Sequence, residues 1–153
     1  MKINKYIYLI IGAIAIEVIT LYLFGQPVIS KTGRIMLFWN EAGGIENSQQ
    51  ISDWYSLSHF CHGLIFYFAI MWIVQKMKWD KLQSFETTLF IAVLIESLWE
   101  VLENSPIIIN RYRETGLAAG YSGDSILNSF MDIIFMMLGV LVAKKYGWKV
   151  AVI

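Results

Sequence analysis

The chain has 153 residues, of which 57% are hydrophobic and 16% charged, and 12 Lys and Arg residues balance 12 Asp and Glu residues. Because soluble domains carry roughly 25% charged residues, this composition excludes an ordinary soluble protein and favours a membrane protein. The single cysteine, Cys61, excludes an intramolecular disulfide and a multi-cysteine metal site. We expect its side chain to be a small buried apolar group.

Four apolar stretches predict membrane-spanning helices, at residues 6–24, 56–74, 85–103 and 124–143. The first follows a basic start, Lys2 and Lys5, but it is longer than the apolar part of a signal peptide and no small-residue cleavage site follows it. We therefore expect this first helix to be retained. The predicted fold is an all-α, integral membrane four-helix bundle, with residues 1–153 forming a single membrane domain.

Two longer loops are predicted between these spans, over residues 25–55 and 104–123. The first is predicted to contain a short strand or hairpin around residues 34–39 and a turn at Gly43-Gly44. The start of the second, residues 106–113, is predicted to form a short helix in the membrane interface. The loops are thus expected to have some structure of their own.

Lys and Arg residues are distributed unevenly between the two sides of the predicted bundle. One side holds Lys2, Lys5, Lys76, Lys78, Lys81, Lys144, Lys145 and Lys149. The other side holds Lys31, Arg34, Arg111 and Arg113. Since short cytoplasmic loops are enriched in Lys and Arg, the first side is predicted to be cytoplasmic. Both termini are then cytoplasmic, and the two longer loops lie on the outer side.

Polar side chains follow one face of each predicted span, near its outer end. They are His59 and His62 on the second span, Glu96, Glu100 and Glu103 on the third, and Asp124, Asn128 and Asp132 on the fourth. A rise of about 1.5 Å per residue places one residue from each span at the same depth: Glu17, His62, Glu96 and Asp132. The layer one turn nearer the surface contains His59, Glu100 and Asn128. We therefore expect a layered site that is open to the outer side.

Several carboxylates that face each other inside a membrane cannot all remain ionised without a cation or shared protons. Histidine together with carboxylate favours a divalent metal, with zinc as the first candidate and manganese or iron as alternatives. The predicted metal ligands are His59, His62, Glu100 and Asp132. The predicted catalytic residues are Glu96, Glu103 and Asn128. A metal there could activate water, with Glu96 or Glu103 as general base.

A metal-free interpretation of the same residues remains open. In it, protonated carboxyl groups hydrogen-bond to the histidines and to Asn128, and the cluster either transfers protons or only stabilises helix packing. Glu17 belongs either to the site or to the packing between helices. These alternatives cannot be separated by spacing alone.

Arg111 and Arg113 of the outer loop, with Asp124, are predicted to bind an anionic headgroup or a phosphate. Two other roles are open for the arginines, since they could pair with Glu103 and Asp124 or contact the membrane surface. Residues 123–125 also have the composition of a helix N-terminal cap. Any binding role of Asp124 would be additional to that capping role.

Three long motifs carry a family resemblance: SQxISDWYxxSHxxHG at residues 48–63, ESxWExxENSPxIIxRYR at 96–113 and YxGDSxxNSxxD at 121–132. With these motifs the chain resembles an uncharacterised family of small multi-pass proteins of the bacterial inner membrane, a domain of unknown function. The resemblance covers nearly the whole chain. It implies a multi-pass protein of the bacterial inner membrane, and it implies no activity. The Lys and Arg distribution then predicts that the polar site faces the periplasm or exterior.

The function predicted from these residues is a membrane-embedded, metal-dependent hydrolase or transferase that acts on a lipid or envelope substrate at the outer face. The alternatives are a non-catalytic assembly factor and an ion- or proton-coupled transport component. Apolar residues in the inner half, such as Ile70, Leu89 and Val140, argue against a path through the bundle. The predicted partners are membrane lipids and a lipid or lipid-linked substrate, with an oligomer possible in principle. The absence of a basic face excludes nucleic acid.

Overall fold

The computed structural model describes residues 4–41, 44–115, 121–147 and 149, and within these residues it contains five α-helices, one short 3₁₀-helix and no strand. The α-helices are α1 (Lys5–Leu23), α2 (Ser56–Lys76), α3 (Phe85–Glu103), α4 (Pro106–Glu114) and α5 (Ile126–Tyr146). The 3₁₀-helix, Asp80–Leu82, lies in the connection between α2 and α3. The all-α prediction is therefore confirmed.

Hydroxyl caps determine where three of the helices begin. Ser84 accepts a hydrogen bond from the backbone N–H of the third residue of α3, and Ser105 does the same for α4. Ser125 accepts from the N–H of Asn128 at 3.1 Å, so α5 begins at Ile126. The predicted span began at residue 124, two residues before the first residue of α5 and within the segment that was also predicted as its cap.

In the described part of the chain, three helices are long and apolar enough to cross a membrane: α1, α2 and α5. Their length and composition indicate a membrane protein. The helix α3 has 19 residues, as α1 does, but it carries four glutamates and is not among these three. Many large apolar side chains on the outside of the bundle are exposed, as expected for a surface in contact with lipid. Cys61 is also exposed, so its predicted burial was wrong.

The helices α2 and α5 form the closest pair in the bundle, while α1 packs mainly on α3 and α3 also contacts α2 and α5. Two glycines permit the close approach of α2 and α5. A Cβ atom on Gly63 would lie 2.0 Å from the carbonyl oxygen of Met136, and one on Gly139 would lie 2.1 Å from that of Phe60. Because no side chain fits there, the two backbones are in direct contact.

The buried interior of the bundle divides into an apolar half and a polar half. We call the end where α1 and α3 finish and α2 and α5 begin the loop end. Away from it, most buried residues are apolar and include Ala13, Ile70, Val74, Ala92, Val93, Ile133, Met136 and Val140, with Thr87 and Thr88 at the start of α3 as buried polar exceptions. Toward it, most are polar and include Glu17, Ser56, His59, Glu96, Glu100, Asn128 and Asp132, although Leu21 is also buried there. All of the buried ionisable groups of the helices thus lie in one half of the bundle.

The first long loop folds back over the loop end instead of forming a hairpin. Two backbone hydrogen bonds join its ends, from Ile51 to Met36 at 3.1 Å and from Trp39 to Ser52 at 2.9 Å. They are too few to form a strand ladder, so the prediction of a strand around residues 34–39 was wrong for the residues described. The predicted turn is described only at Gly44, which has φ +84°, since residues 42–43 lie outside the described residues.

The predicted short helix of the second loop is confirmed as α4, which begins directly after the cap at Ser105 and has Pro106 in its first turn. Residues 116–120 of this loop lie outside the described residues, as does Lys2 of the predicted cytoplasmic lysines. The chain is described again from Tyr121, where it enters α5.

Residues 46–53, which we call the cover, close the loop end over α5. Ser125 donates its backbone N–H to the carbonyl of Ser48 at 2.9 Å and its hydroxyl to the carbonyl of Gln49 at 3.0 Å. The Asn128 amide donates to the carbonyl of Gln50 at 2.9 Å. The carboxylate of Asp53 accepts from the N–H groups of Ser48, of Tyr55 and of Ser56, the first residue of α2. The cover is therefore fixed to both helices that begin at this end.

Candidate functional site

Glu96 lies at the centre of the polar half and contacts both histidines. Its Oε1 atom is 2.5 Å from Nδ1 of His59 and 3.1 Å from Nδ1 of His62, and the residue is fully buried. The histidines are three residues apart on α2, so their rings project from the same face toward α3. Because an ionised carboxylate only accepts hydrogen bonds, the two imidazole N–H groups donate to it.

A second group of ligand-type side chains shares His59. The Oε1 atom of Glu100 lies 3.3 Å from Nδ1 of His59, and Oδ2 of Asp132 lies 3.8 Å from its Nε2. One potential ligand atom from each of the three residues lies within 4.8 Å of the others, and all three residues are buried. The hydroxyl of Ser56 donates to the other oxygen of Asp132 at 2.8 Å, which orients this carboxylate.

Two carboxyl groups of the polar half lack hydrogen bonds. Within the described residues, neither oxygen of Glu100 and neither oxygen of Glu17 has a hydrogen-bond partner, although both side chains are buried. Glu17 lies close enough to Glu96 and Asp132 to interact with them electrostatically. Burial of a charged group without partners is costly, so a cation or bound protons must compensate these carboxylates.

The four predicted metal ligands do not form one group among the residues that the structure describes. His62 groups with His59 and Glu96, whereas Glu100 and Asp132 form the separate group around His59. Glu96, predicted as a general base, thus stands among the ligand-type residues. His59 is the residue common to both groups.

The contacts of Asp132 on α5 are shifted by about one helical turn from the layer in which the sequence predicted it. His62 and Glu96 lie at the same level, as predicted, but Asp132 contacts Ser56 and His59 instead of His62. One reason is the later start of α5, which places Asp132 about 9 Å from the helix start. The depth of about 12 Å was obtained by counting from residue 124.

The other two predicted catalytic residues lie closer to the loop end. Asn128 is buried and donates its side-chain amide to the cover at Gln50. Glu103 is partly buried at the last turn of α3, near Asp124 and Trp99. Neither belongs to either group of ligand-type residues among those described.

Asp124 lies apart from the two arginines with which it was grouped. Its carboxylate accepts hydrogen bonds from the amide of Asn104 at 2.8 Å and from the hydroxyl of Tyr121 at 2.9 Å. Burial raises the pKa of Asp124, and these hydrogen bonds offset only part of that effect. Arg111 and Arg113 are exposed, and Arg113 donates to the carbonyl of Tyr121 at 2.8 Å. No ion pair of either arginine with Glu103 or Asp124 occurs in the described part of the chain.

The polar half is closed at the loop end, contrary to the prediction that it opens to the outer side. The cover and the first turn of α5 lie over it, and Glu96, Glu100 and Asp132 are each at most 3% exposed. The exposed edge of the cluster is His62, whose side chain is 30% exposed. This edge faces sideways, into the surface groove between α2 and α3.

The groove beside His62 has a volume of about 370 Å³. Apart from His62, its walls are apolar: Phe66 of α2 and Ile95, Leu98, Trp99 and Leu102 of α3. The ring of His62 stacks on Phe66 with a centroid distance of 5.6 Å and meets the edge of Trp99 at 6.1 Å. The groove therefore ends at the one partly exposed member of the two ligand-type groups.

Sequence reasoning missed several residues that build this region. Asn104 orients Asp124 and lies within a motif whose polar residues had been noted without a role, whereas Ser56, which orients Asp132, was predicted in the polar layer nearest the surface. The groove residues gave no signal, because exposed apolar side chains on a membrane helix are the norm. Glu46 was also missed: it accepts hydrogen bonds from Ser30 and Gln50 and organises the first loop.

Comparison with known proteins identifies relatives over most of the chain. A family described as "Protein of unknown function (DUF2585)" matches residues 21–153. A protein of Novosphingobium aromaticivorans named UPF0314 protein is 47% identical over 136 residues, which cover 89% of this chain and 68% of the relative. A UPF0314 protein of Sphingopyxis alaskensis is 44% identical over 137 residues, covering 90% of this chain and 70% of the relative.

A further UPF0314 protein, from Agrobacterium fabrum, is 44% identical over 143 residues, covering 93% of this chain and 69% of the relative. No solved structure matches the chain. The resemblance to an uncharacterised bacterial family, predicted from the three motifs, is confirmed. The chain belongs to the DUF2585 family of proteins of unknown function.

Proposed function

We propose that this protein is a membrane-embedded, metal-dependent hydrolase or transferase that acts on a lipid or other envelope substrate at the outer face of the bacterial inner membrane. The observation that carries the proposal is the state of Glu100. This carboxylate is fully buried, has no hydrogen-bond partner among the described residues, and lies with His59 and Asp132 in one group of ligand-type side chains. A divalent cation would satisfy all three residues together.

Four membrane spans, α1, α2, α3 and α5, form the framework of this proposal. The helix α3 is the least apolar of them, but it packs against the other three, and its glutamates Glu96 and Glu100 are buried in the bundle and not exposed to lipid. Such an inward arrangement is how intramembrane carboxylates are tolerated. The lysine distribution supports cytoplasmic termini and a loop end on the outer side.

The contacts of His59 support its role as a metal ligand through Nε2. Its Nδ1–H donates to Glu96, which leaves a lone pair on Nε2, the nitrogen that faces Asp132. A histidine held by a carboxylate in this way is the usual arrangement beside a bound metal. The mixed histidine and carboxylate set favours zinc, manganese or iron over magnesium.

Three protein ligands leave a further coordination position for water or substrate. A metal in this position supplies a Lewis acid for a carbonyl or phosphoryl group and lowers the pKa of a bound water. Glu96, with His62, is then the carboxylate–histidine pair available for proton transfer at the exposed edge of the site. Glu103 and Asn128 support the surrounding polar half.

Metal analysis of the purified protein tests the proposal. The full chain, purified in detergent without added chelator, should contain close to one equivalent of zinc, manganese or iron by inductively coupled plasma mass spectrometry. Glu100→Gln keeps the size of the side chain but removes an anionic ligand, so it should lose the metal. Glu86→Gln, which changes an exposed glutamate of the same helix, should retain it.

Absence of metal from the wild-type protein, also after reconstitution with each ion, would sink the proposal. A second candidate would then take its place: a non-catalytic assembly factor whose polar half only stabilises helix packing. The hydrogen bonds that fix the cover to α5 favour this candidate. A phenotype that survives neutralisation of Glu96, Glu100 and Asp132 would support it.

A further inference from the structure

The groove between α2 and α3 is the place where the buried polar half meets the membrane-facing surface. Its apolar residues are exposed on the outside of α3, with Leu98 at 61%, while Glu96 on the same helix is fully buried. His62 joins the two, since its ring lines the groove and its Nδ1 contacts Glu96. A molecule in the groove therefore touches the cluster without passing through the cover.

The position of the groove along the helices limits what can occupy it. It extends from Leu102, next to the last residue of α3, to Ile95, about 10 Å deeper along the helix. Around membrane-spanning helices, this depth lies within the hydrocarbon region of the bilayer. An apolar groove there is filled by a hydrocarbon chain, because no water is available to it.

The surroundings of the groove at the loop end favour a chain with an anionic headgroup. The helix α4 begins at Pro106, four residues after Leu102, and carries the exposed arginines Arg111 and Arg113. Neither has an ion-pair partner among the described residues, so both are available to a phosphate.

The depth of His62 distinguishes a glycerophospholipid from a prenyl phosphate. His62 is six residues from the start of α2, about 9 Å below the loop end. With its phosphate at the level of α4, a glycerophospholipid places an acyl ester between the phosphate and the chain, within reach of this depth. A prenyl phosphate has no reactive group there, because its only polar group is the phosphate itself.

We infer that this groove binds one acyl chain of a glycerophospholipid, which reaches the His62–Glu96 edge sideways from the bilayer. The inference rests on the proposed function for its significance, since it names the substrate class of that site. It replaces the predicted entry from the outer aqueous side by a lateral entry. Binding itself requires neither a metal nor turnover.

Photo-crosslinking tests the inference. The full-length protein would be placed in vesicles of phosphatidylethanolamine and phosphatidylglycerol that contain a phosphatidylglycerol with a diazirine on one acyl chain. Cross-links mapped by mass spectrometry should concentrate on Ile95, Leu98 and Leu102, compared with other exposed lipid-facing positions such as Ile19 and Leu138. Labelling spread evenly over all lipid-facing positions would overturn the inference.

Two matched variants sharpen this experiment. Leu98→Trp fills the groove from its exposed side and should reduce groove labelling about tenfold, which corresponds to about 1.4 kcal/mol of binding free energy. Leu138→Trp makes the same change on the exposed surface of α5 and should leave labelling unchanged. Unchanged labelling of Leu98→Trp at Ile95 and Leu102 would also overturn the inference.

Two further arms separate the possible failures. In the first, the groove is probed with a diazirine-labelled prenyl phosphate. Cross-linking by this probe without cross-linking by the phospholipid would show that the groove holds a prenyl chain, and it would overturn the inference. Glu100→Gln should label like the wild type, because it leaves the groove intact. If the groove is labelled but the protein binds no metal, the inference stands and the proposed function fails. If the protein binds metal but the groove is not labelled, the inference fails and the proposed function stands.

Discussion

The imidazole of His59 has different neighbours on its two nitrogens. Nδ1 is 2.5 Å from Glu96, and Nε2 faces Asp132 at 3.8 Å. When His59 is neutral and donates from Nδ1 to Glu96, its Nε2 carries the lone pair that can bind a cation. The chemistry available to this residue therefore depends on a carboxylate that does not itself belong to the His59–Glu100–Asp132 group.

Substitution of Glu96 by glutamine tests this dependence. The amide oxygen could still accept from both imidazoles, since both Nδ1 atoms contact Oε1 of Glu96, but the substitution removes the negative charge that holds the Nδ1–H groups in place. For the proposed metal site, we expect Glu96→Gln to weaken metal affinity about 10- to 100-fold while the protein remains folded. Competition with a chelator of known affinity measures this effect.

The control for that measurement is Glu86→Gln, which should bind metal as the wild type does. Equal affinities of Glu96→Gln and the wild-type protein would show that Glu96 does not orient a metal ligand. Loss of the folded protein would instead be seen as aggregation during size-exclusion chromatography, so that the two outcomes are distinguishable.

Glu46 organises the first loop through its carboxylate. It accepts hydrogen bonds from Ser30 at 2.6 Å, from Gln50 at 2.5 Å and from the hydroxyl of Thr32. Burial raises the pKa of this carboxyl, but the three hydrogen bonds outweigh burial, so that the pKa lies below the usual value of 4.5. The ionised form is therefore favoured in the folded protein.

A pH-dependent effect of Glu46→Gln follows. Because the folded-state pKa is lowered, ionised Glu46 stabilises the loop above pH 4.5, and this contribution is lost as the pH falls through the lowered pKa. At pH 7 we expect Glu46→Gln to destabilise the loop by about 1–2 kcal/mol, which is roughly 5- to 30-fold faster amide exchange. The amide of Met36, bonded to Gln50 at 2.7 Å, is a suitable probe by hydrogen–deuterium exchange.

The difference between wild-type and Glu46→Gln proteins should shrink when local stability is compared at progressively lower pH, after correction for intrinsic exchange rates. Glu41→Gln, a change in an exposed glutamate of the same loop, is the control and should show no difference at either pH. A pH-independent effect of Glu46→Gln would argue that shape, and not charge, matters at this position.

At the scale of elements, the contact between α2 and α5 determines whether the site can form. Gly63 and Gly139 bring the two backbones together, and this approach places His59 and Ser56 against Asp132. A methyl group at residue 63 would collide with a backbone carbonyl, which cannot rotate away as a side chain can.

We therefore expect Gly63→Ala to destabilise the protein by about 1–3 kcal/mol and to weaken metal binding, because the helices must separate. Gly12→Ala is the matched control, since a Cβ atom there would meet no described atom within 4 Å. Thermal unfolding in detergent, followed by tryptophan fluorescence, compares the two variants. Equal melting temperatures would contradict the importance of this close contact.

The positions of the α-helices could largely be predicted from the amino-acid sequence. Apolar length predicted the bounds of α1, α2, α3 and α5 to within three residues, and the hydroxyl–proline pattern predicted α4. The strand around residues 34–39 was predicted wrongly because the first loop obtains many of its hydrogen bonds from distant partners such as Ser125 and Leu127, which no local pattern shows. Loop structure made by long-range contacts is the part that sequence reasoning could not supply.

The proximity of the polar side chains could be predicted from the sequence, but their arrangement could not. Helical spacing correctly suggested that His59, Glu96, Glu100 and Asp132 would lie near each other. It could not show that these residues divide around His59, because that depends on how far each helix is shifted along its neighbour. It also could not show that the cover closes the loop end, because the polar residues of the cover resemble an ordinary solvated loop.

At the scale of the whole molecule, the proposed topology makes a direct prediction. Glu114 of α4 and Gln83, before α3, are both exposed and lie on opposite sides of the proposed four-span bundle. In a Cys61→Ser background, Glu114→Cys should react with a membrane-impermeant maleimide in intact bacterial cells, and Gln83→Cys should react only after the membrane is opened. The reverse pattern would invert the orientation, and labelling of both positions would contradict four spans.

The uneven distribution of glutamates also has a consequence for how the protein is made. On the scale of translocon-mediated insertion, one carboxylate near the middle of a helix costs about 2.5–3.5 kcal/mol, and α3 contains Glu96 and Glu100. In the proposed four-span topology, the short connection from α2 would let α2 and α3 enter the bilayer together as a hairpin, so that His59 and His62 would meet Glu96 during biogenesis. The hydrogen bonds from His59 and His62 to Glu96 would then assist membrane insertion before they take part in any chemistry. Substitutions of these residues would therefore lower the amount of protein in the membrane in addition to any loss of activity.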